Sequence, residues 1–328
     1  VSTAGLGDAF GRRMRTLRVS VTDRCDLRCT YCMPAAGMQW LPKEALLSFE
    51  ELERVVRAFV DLGVSRLRLT GGEPLLRQDL PQLVKSFAAL PGVEDLAMTT
   101  NGTRLAALAP ALKAAGLQRA TVSLDSLDPG RFAAVTRGGD LDKVWQGLLA
   151  AEASGLGPIK INAVVTPINE PDLMDLAALT FGRGWDVRFI EVMPISGAVG
   201  RPAAGLPMAA LKRRMEERWG RLEALATEAS APARRWRIPG ALGAVGFIAS
   251  VSDSFCGSCD RLRLSATGRL QLCLAHPDGL DLRALLRGGA TDATLKGAIA
   301  EAVWRKPAGH EFHRQAPSPQ AAMSRIGG

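Results

Sequence analysis

The sequence predicts an α/β protein: a partial, six-unit parallel β/α barrel at 1–194, followed by a smaller α+β domain at 195–328. Three observations predict it. Short β-branched runs alternate with helical patterns six times in under 200 residues, which implies a parallel sheet with right-handed crossovers. A closed barrel of eight units needs about 250 residues, more than this stretch supplies. After Pro194 the alternation stops and Gly/Pro-rich sequence begins, which sets the boundary there.

The expected strands are 17–22, 66–70, 96–100, 120–124, 159–165 and 187–192. The best marked helix starts at Ser48, where Ser48-x-x-Glu51 reads as a capping box. It continues through Val55, Val56, Phe59 and Val60 and stops at Gly63. Further helices are expected at 80–90, 105–115, 141–153, 172–181 and 208–219. An Ala- and Arg-rich stretch at 223–237 carries no clear period.

With 328 residues, 47% of them hydrophobic, the chain can fill a sizeable core. Lys and Arg exceed Asp and Glu by 41 − 33 = 8, a balance compatible with an anionic ligand or RNA. Residues 1–18 lack the apolar core of a signal peptide. The longest uncharged apolar stretch, 239–251, is too short to span a bilayer. All six cysteines fall into two triplets, leaving none for a disulfide framework, and the expected compartment is a reducing cytoplasm.

Cys25, Cys29 and Cys32 form a C-x3-C-x2-C triplet just after the first strand. Three thiolates in one small volume suit either a four-iron cluster with one open iron or tetrahedral zinc. The other conspicuous polar motifs also sit at strand ends, where barrels gather their active sites. They are Gly71-Gly72-Glu73-Pro74, Thr99-Thr100-Asn101-Gly102, Ser123-Leu124-Asp125-Ser126 and Glu191-Val192-Met193-Pro194. The triplet, with the glycine pair one strand later, resembles the radical S-adenosylmethionine (SAM) enzymes. That resemblance implies a [4Fe-4S] cluster whose open iron binds the amino and carboxylate groups of SAM.

Along the strands, cations alternate with apolar residues: Arg18 on the first, Arg66 and Arg68 on the second, Lys160 on the fifth and Arg188 on the sixth. Buried cations are costly unless they meet anions. Arg66 is expected to snorkel to the rim; the rest point to a polyanion such as a triphosphate. No G-x-x-x-x-G-K-[ST] loop is present, so side chains would have to hold a nucleotide.

The second triplet is Cys256, Cys259 and Cys273. With His276 its spacing also reads as a Cys3His zinc site. Asp260-Arg261-Leu262-Arg263-Leu264 follows directly and brings two more alternating cations. The segment 255–264 resembles the C-terminal domain of the GTP 3′,8-cyclase family, and the likeness extends from Leu17 to Gly328. The resemblance implies a second [4Fe-4S] cluster on Cys256, Cys259 and Cys273, with His276 not a ligand. It implies SAM contacts from Tyr31, Gly72, Ser123 and Met193. It implies GTP contacts from Arg18, Arg68, Thr99, Lys160, Arg188, Arg261 and Arg263. It also implies a tail ending in Gly327 and Gly328 that reaches the active site.

The activity so implied is conversion of GTP to (8S)-3′,8-cyclo-7,8-dihydroguanosine 5′-triphosphate, the first step of molybdenum cofactor biosynthesis. An electron donor protein and a downstream pyranopterin-forming enzyme would be partners; neither membrane nor nucleic acid is expected, and the chain would be a monomer or homodimer. Two rivals make different demands. A peptide-modifying radical enzyme would not need barrel cations. A zinc protein binding RNA would need exposed aromatics, and the chain has one Tyr and 5% aromatics.

Overall fold

The computed structural model of the chain describes residues 5–195 and 205–310, together with 312 and 323. Its first part runs β1 (Thr16–Ser20), α1 (Phe49–Asp61), β2 (Arg66–Thr70), α2 (Leu80–Ala88), β3 (Asp95–Thr100) and α3 (Leu105–Ala114). It continues through β4 (Arg119–Ser123), α4 (Pro129–Thr136), α5 (Leu141–Ala153), β5 (Lys160–Val164), α6 (Leu173–Gly182) and β6 (Asp186–Ile190). Beyond these come α7 (Met208–Trp219), β7 (Glu223–Ala224), β8 (Arg234–Arg237), β9 (Val245–Ile248) and β10 (Arg261–Leu264). The last described elements are β11 (Arg269–Gln271), β12 (Gly279–Asp281), α8 (Leu282–Arg287) and α9 (Asp292–Trp304).

The six expected strands are β1 to β6, each parallel to the next. The Ser48 capping box is present in both directions. Between β1 and β6 one helix escaped the sequence reading, and beyond Trp219 the individual elements did: α4 is short, opens with Pro129 and ends at Arg137, which takes the left-handed backbone conformation before Gly138. It shows no long periodic face to read. The Ala- and Arg-rich stretch forms the β7–β8 hairpin.

Both edges of the six-strand sheet are extended by the rest of the chain. β10 pairs parallel to β1 and β9 parallel to β6, with β11–β12 and β8–β7 following as antiparallel edges. The result is one 12-stranded sheet. Alternate residues fill its two faces. Leu17, Val19, Leu67, Leu69, Val122, Ile161 and Val187 are buried in the main apolar core. Arg18, Arg68, Thr99, Thr121, Lys160 and Arg188 take the opposite face and line a cavity.

Candidate functional site

Register decides the character of that cavity. Arg263, Arg18, Arg68, Ala97 and Arg119 are successive partners across β10, β1, β2, β3 and β4. Neighbouring strands lie about 4.8 Å apart, so Arg263, Arg18 and Arg68 stand side by side. Ala97 keeps its strand's place in the row small. Arg68 and Arg119 both ion-pair with Asp95, two residues earlier on the same face of β3. Asp95 is thereby held below the usual carboxylate range, its burial outweighed by the two arginines.

The remaining cations are less neutralised. Burial, with Arg188 and Arg119 nearby, carries Lys160 down to about 7. Burial lowers Arg188 and Arg263 to about 10 each. Burial and the neighbouring Arg263, Arg261 and Arg68 push Arg18 well down. Among the described residues, Asn162 Oδ1, Arg188 Nε and Arg261 Nη2 are buried atoms without a hydrogen-bond partner, and all three residues line the cavity. Gly246 is the strand partner of Arg188. A Cβ there would come within 3.3 Å of Arg188 Cγ, so glycine leaves that side chain its path. Arg66 lies at the exposed edge and makes a bidentate pair with Glu228 (2.5 and 2.7 Å), as the snorkelling expectation required.

The first triplet occupies the loop after β1. Cys32 and Met33 amides both donate to Cys29 O (2.9 and 3.0 Å), which turns the loop on itself. The end of α4 braces it, with Arg137 donating to Met33 O at 2.6 Å. Gly71 and Gly72 line the cavity and also pack closely against the preceding loop. A Cβ on either would strike the carbonyl of Thr22 (2.7 Å) or Arg24 (2.3 Å), so the glycine pair packs against the cysteine loop itself. Glu73 is buried, accepts from Leu75 N, Thr100 Oγ1 and Asn101 N, and is raised by burial to about 7. Tyr31 donates to Asp125 Oδ2 at 2.7 Å, and Val164 N to Asp125 Oδ1 at 2.8 Å.

The second triplet enters from the opposite end of the strands. Arg261 pairs with Thr16, the first residue of β1, and Cys259 comes two residues earlier still. The first triplet follows the last residue of that same strand. Five residues at about 3.3 Å per residue separate the strand ends by about 13 Å. The first triplet thus sits at the C-terminal rim, as expected, and the second, for which no rim was predicted, lies at the opposite end. His276 donates through Nε2 to Gly309 O (3.1 Å).

All the site residues expected from the sequence line one cavity of about 1000 Å³, apart from Gly327 and Gly328, which lie outside the described residues. The two donor sets are purely cysteine and half-exposed toward it. Three soft thiolates apiece are the ligand type that iron–sulfur clusters take. The sequence reading missed Asp95, Arg119, Asp186, Arg235 and Lys306, which also line the cavity. Asp95, Arg119 and Asp186 begin strands, and a charge at the first residue of a strand was the available signal.

Radical SAM superfamily sequences match residues 19–180, and the family described as Molybdenum Cofactor Synthesis C matches 185–312. GTP 3′,8-cyclase of Moorella thermoacetica (strain ATCC 39073 / JCM 9320) is 42% identical over 322 residues, 98% of this chain and 99% of that protein. The chain belongs to the GTP 3′,8-cyclase family. A second GTP 3′,8-cyclase, from Mycobacterium sp. (strain KMS), is 45% identical over 331 residues, covering 100% of this chain and 95% of that one. Among solved structures, Streptococcus suis SuiB matches with a TM-score of 0.63 at 14% identity, over 90% of this chain and 67% of SuiB. That likeness shows the fold alone. As a GTP 3′,8-cyclase family member the chain is a radical SAM enzyme of molybdenum cofactor synthesis, with SAM and an iron–sulfur cluster as its cofactors. Among the described residues no helix is long and apolar enough to cross a membrane.

Proposed function

We propose that the chain converts GTP to (8S)-3′,8-cyclo-7,8-dihydroguanosine 5′-triphosphate in the cavity between its two cysteine triplets. The observation that carries this reading is the row Arg263–Arg18–Arg68, set on the same cavity as both thiol sets. A volume of about 1000 Å³ is at the top of the usual range for small-molecule sites, about 300–1,000 Å³. Two ligands together would use it.

Cys25, Cys29 and Cys32 would hold the cluster that binds SAM, and Cys256, Cys259 and Cys273 a second [4Fe-4S] cluster facing the guanine. Bound at the first triplet, cluster and SAM supply one-electron reductive cleavage and a hydrogen-abstracting carbon radical. The chain's own residues do the rest. Tyr31, Gly72, Ser123 and Met193 orient SAM. Arg18, Arg68, Thr99, Lys160, Arg188, Arg261 and Arg263 hold GTP, and the orphaned Arg188 Nε and Arg261 Nη2 find acceptors on it. Fixing both reactants at once replaces a chance encounter with a positioned one, and enclosure excludes stray reductants.

The tail carrying Gly327 and Gly328 would complete the site. His310, Phe312 and Met323 line the cavity, which supports a path for it. We take the domain boundary near Pro194. The enzyme would work in the cytoplasm as a monomer or homodimer, drawing electrons from a donor protein and passing its product to a pyranopterin-forming enzyme. The test is anaerobic reconstitution with iron and sulfide, then incubation with SAM, dithionite and GTP deuterated at C3′. The expected outcome is cyclised nucleotide with deuterium in 5′-deoxyadenosine. Deuterium-free 5′-deoxyadenosine without nucleotide product would overturn the reading.

A further inference from the structure

The segment after α9 runs directly against the second triplet and is fixed there from two directions. Arg12, in the N-terminal hairpin closed by the Gly7–Arg13 bridge, is buried and neutralised by Asp8 at 2.5 Å. Its guanidinium donates to Cys256 O (2.9 Å), Pro307 O (2.6 Å) and Ala308 O (2.8 Å). One side chain thus ties the first cysteine of the triplet to the strap 306–310. Gly309 fits so closely that a Cβ on it would sit 3.1 Å from Cys256 Cβ and 3.5 Å from Cys256 Sγ.

The strap supplies the second fixing itself. Lys306 is 3% exposed. Its ammonium donates to Arg261 O (3.0 Å) and to Leu272 O. Leu272 precedes Cys273, and Arg261 stands two residues after Cys259. One buried group therefore stitches together the two chain segments that carry Cys259 and Cys273. The ionisable groups acting on it most are Cys259, Cys273, Arg12 and Arg261, with no carboxylate among them. A buried ammonium held only by carbonyls is strongly disfavoured without an anion nearby. The nearby groups able to carry negative charge are Cys259 and Cys273.

We propose that Lys306 is a positioning residue that sets the charge around the second triplet and raises the reduction potential of the group held there, while Arg12 locks the strap in place. The proposal rests on reading that triplet as an iron–sulfur site. A fixed positive charge favours the more negative, reduced state of a cluster. Because Arg12 is already neutralised by Asp8, its part is mechanical.

The test uses the full chain, reconstituted anaerobically, in a redox titration followed by electron paramagnetic resonance. Cys25→Ala and Cys273→Ala assign the two signals. In Lys306→Met the reduced-to-oxidised ratio of the second signal at a fixed potential should fall about tenfold, a shift of about 59 mV for one electron. The first signal should stay where it is. An unmoved second signal with full iron content overturns the role of Lys306. Arg12→Gln probes the strap without touching that charge: a chelator should strip iron from the second triplet about tenfold faster than in the parental protein. Equal rates overturn the strap and remain decisive if Lys306→Met fails to fold. A parental protein with zinc in the second triplet, or with one iron–sulfur signal in place of two, would overturn the cluster reading itself and this inference with it.

Discussion

The two ends of the cavity present the same ligand atoms in opposite electrical surroundings. Around the first triplet the charged side chains that act most on Cys25 and Cys29 are carboxylates. Burial, reinforced by Glu73 and Asp26, pushes the Cys25 thiol to about 12, and burial with Asp125 raises Cys29 well above its ordinary value. Around the second triplet Arg261 and Lys306 are the charges that act most on Cys259, while burial keeps Cys273 raised. Burial pushes Cys259 up, yet Arg261 and Lys306 carry it below its ordinary value. The lesson is that position along one parallel sheet separates two tasks. A cluster among carboxylates resists taking up an electron and, once reduced, gives it up readily. On the proposed reading, a cluster held among cations would be easier to reduce and would share those cations with an anionic substrate.

The sharpest way to break this comparison is to remove one end at a time. Cys25→Ala should abolish reductive cleavage of SAM, measured as 5′-deoxyadenosine. Cys273→Ala should retain some cleavage and yield no cyclised GTP. Equal loss of cleavage in two folded variants would dissolve the division of labour.

Next in size are the cations between the ends. Lys160→Ala removes a charge-assisted contact of about 1.5–3 kcal/mol and should weaken GTP binding about ten- to a hundredfold by calorimetry. Arg68→Ala should cost less, since Arg68 is already engaged with Asp95, where Arg119 stays behind. Unchanged affinity in both variants would return these side chains to a purely structural role.

A pH series refines the same point. Lys160 is held at about 7 in the free protein by burial and the cations around it, while a bound phosphate favours the ammonium form. Above pH 7 the complex therefore holds a proton that the free protein has lost. GTP affinity should be full below pH 7 and fall up to about tenfold per unit as pH rises above it. Lys160→Arg, charged throughout, should flatten the profile; an identical slope in that variant would remove Lys160 as its source.

The smallest effect belongs to the first end. Tyr31→Phe deletes the donor to buried Asp125, a bond contributing about 1 kcal/mol. SAM affinity should drop about fivefold with GTP affinity unmoved. A matching drop in GTP affinity would show that the ends are not separable at this level.

What the sequence displayed depended on how far apart the cooperating residues lie. Cys25, Cys29 and Cys32 fall within eight residues, and Arg66 and Arg68 alternate on one strand, so periodicity alone put them on the page. Their meeting with Arg263 needed the register of β10 against β1, which local pattern does not encode. Asp95 looked like an ordinary strand boundary because its value comes from arginines on two other strands. Arg12 and Lys306 belong to no motif near the triplet they adjoin and gain their roles only across the fold. The approach of the second triplet from the far end of the strands was hidden for the same reason.

The pairing of β10 with β1 has a consequence for how this protein is made. Chains emerge from the ribosome N-terminus first and fold by units as they appear. When the first 190 or so residues are out, β1 and β6 are bare edges, open to pairing with another nascent chain. Strands β9 and β10 later cover those edges. The same docking that protects β1 delivers Arg263 to Arg18, so the full arginine row cannot exist on a half-made protein. A stalled or truncated chain could present the first triplet but would lack the surface that selects what is exposed to it.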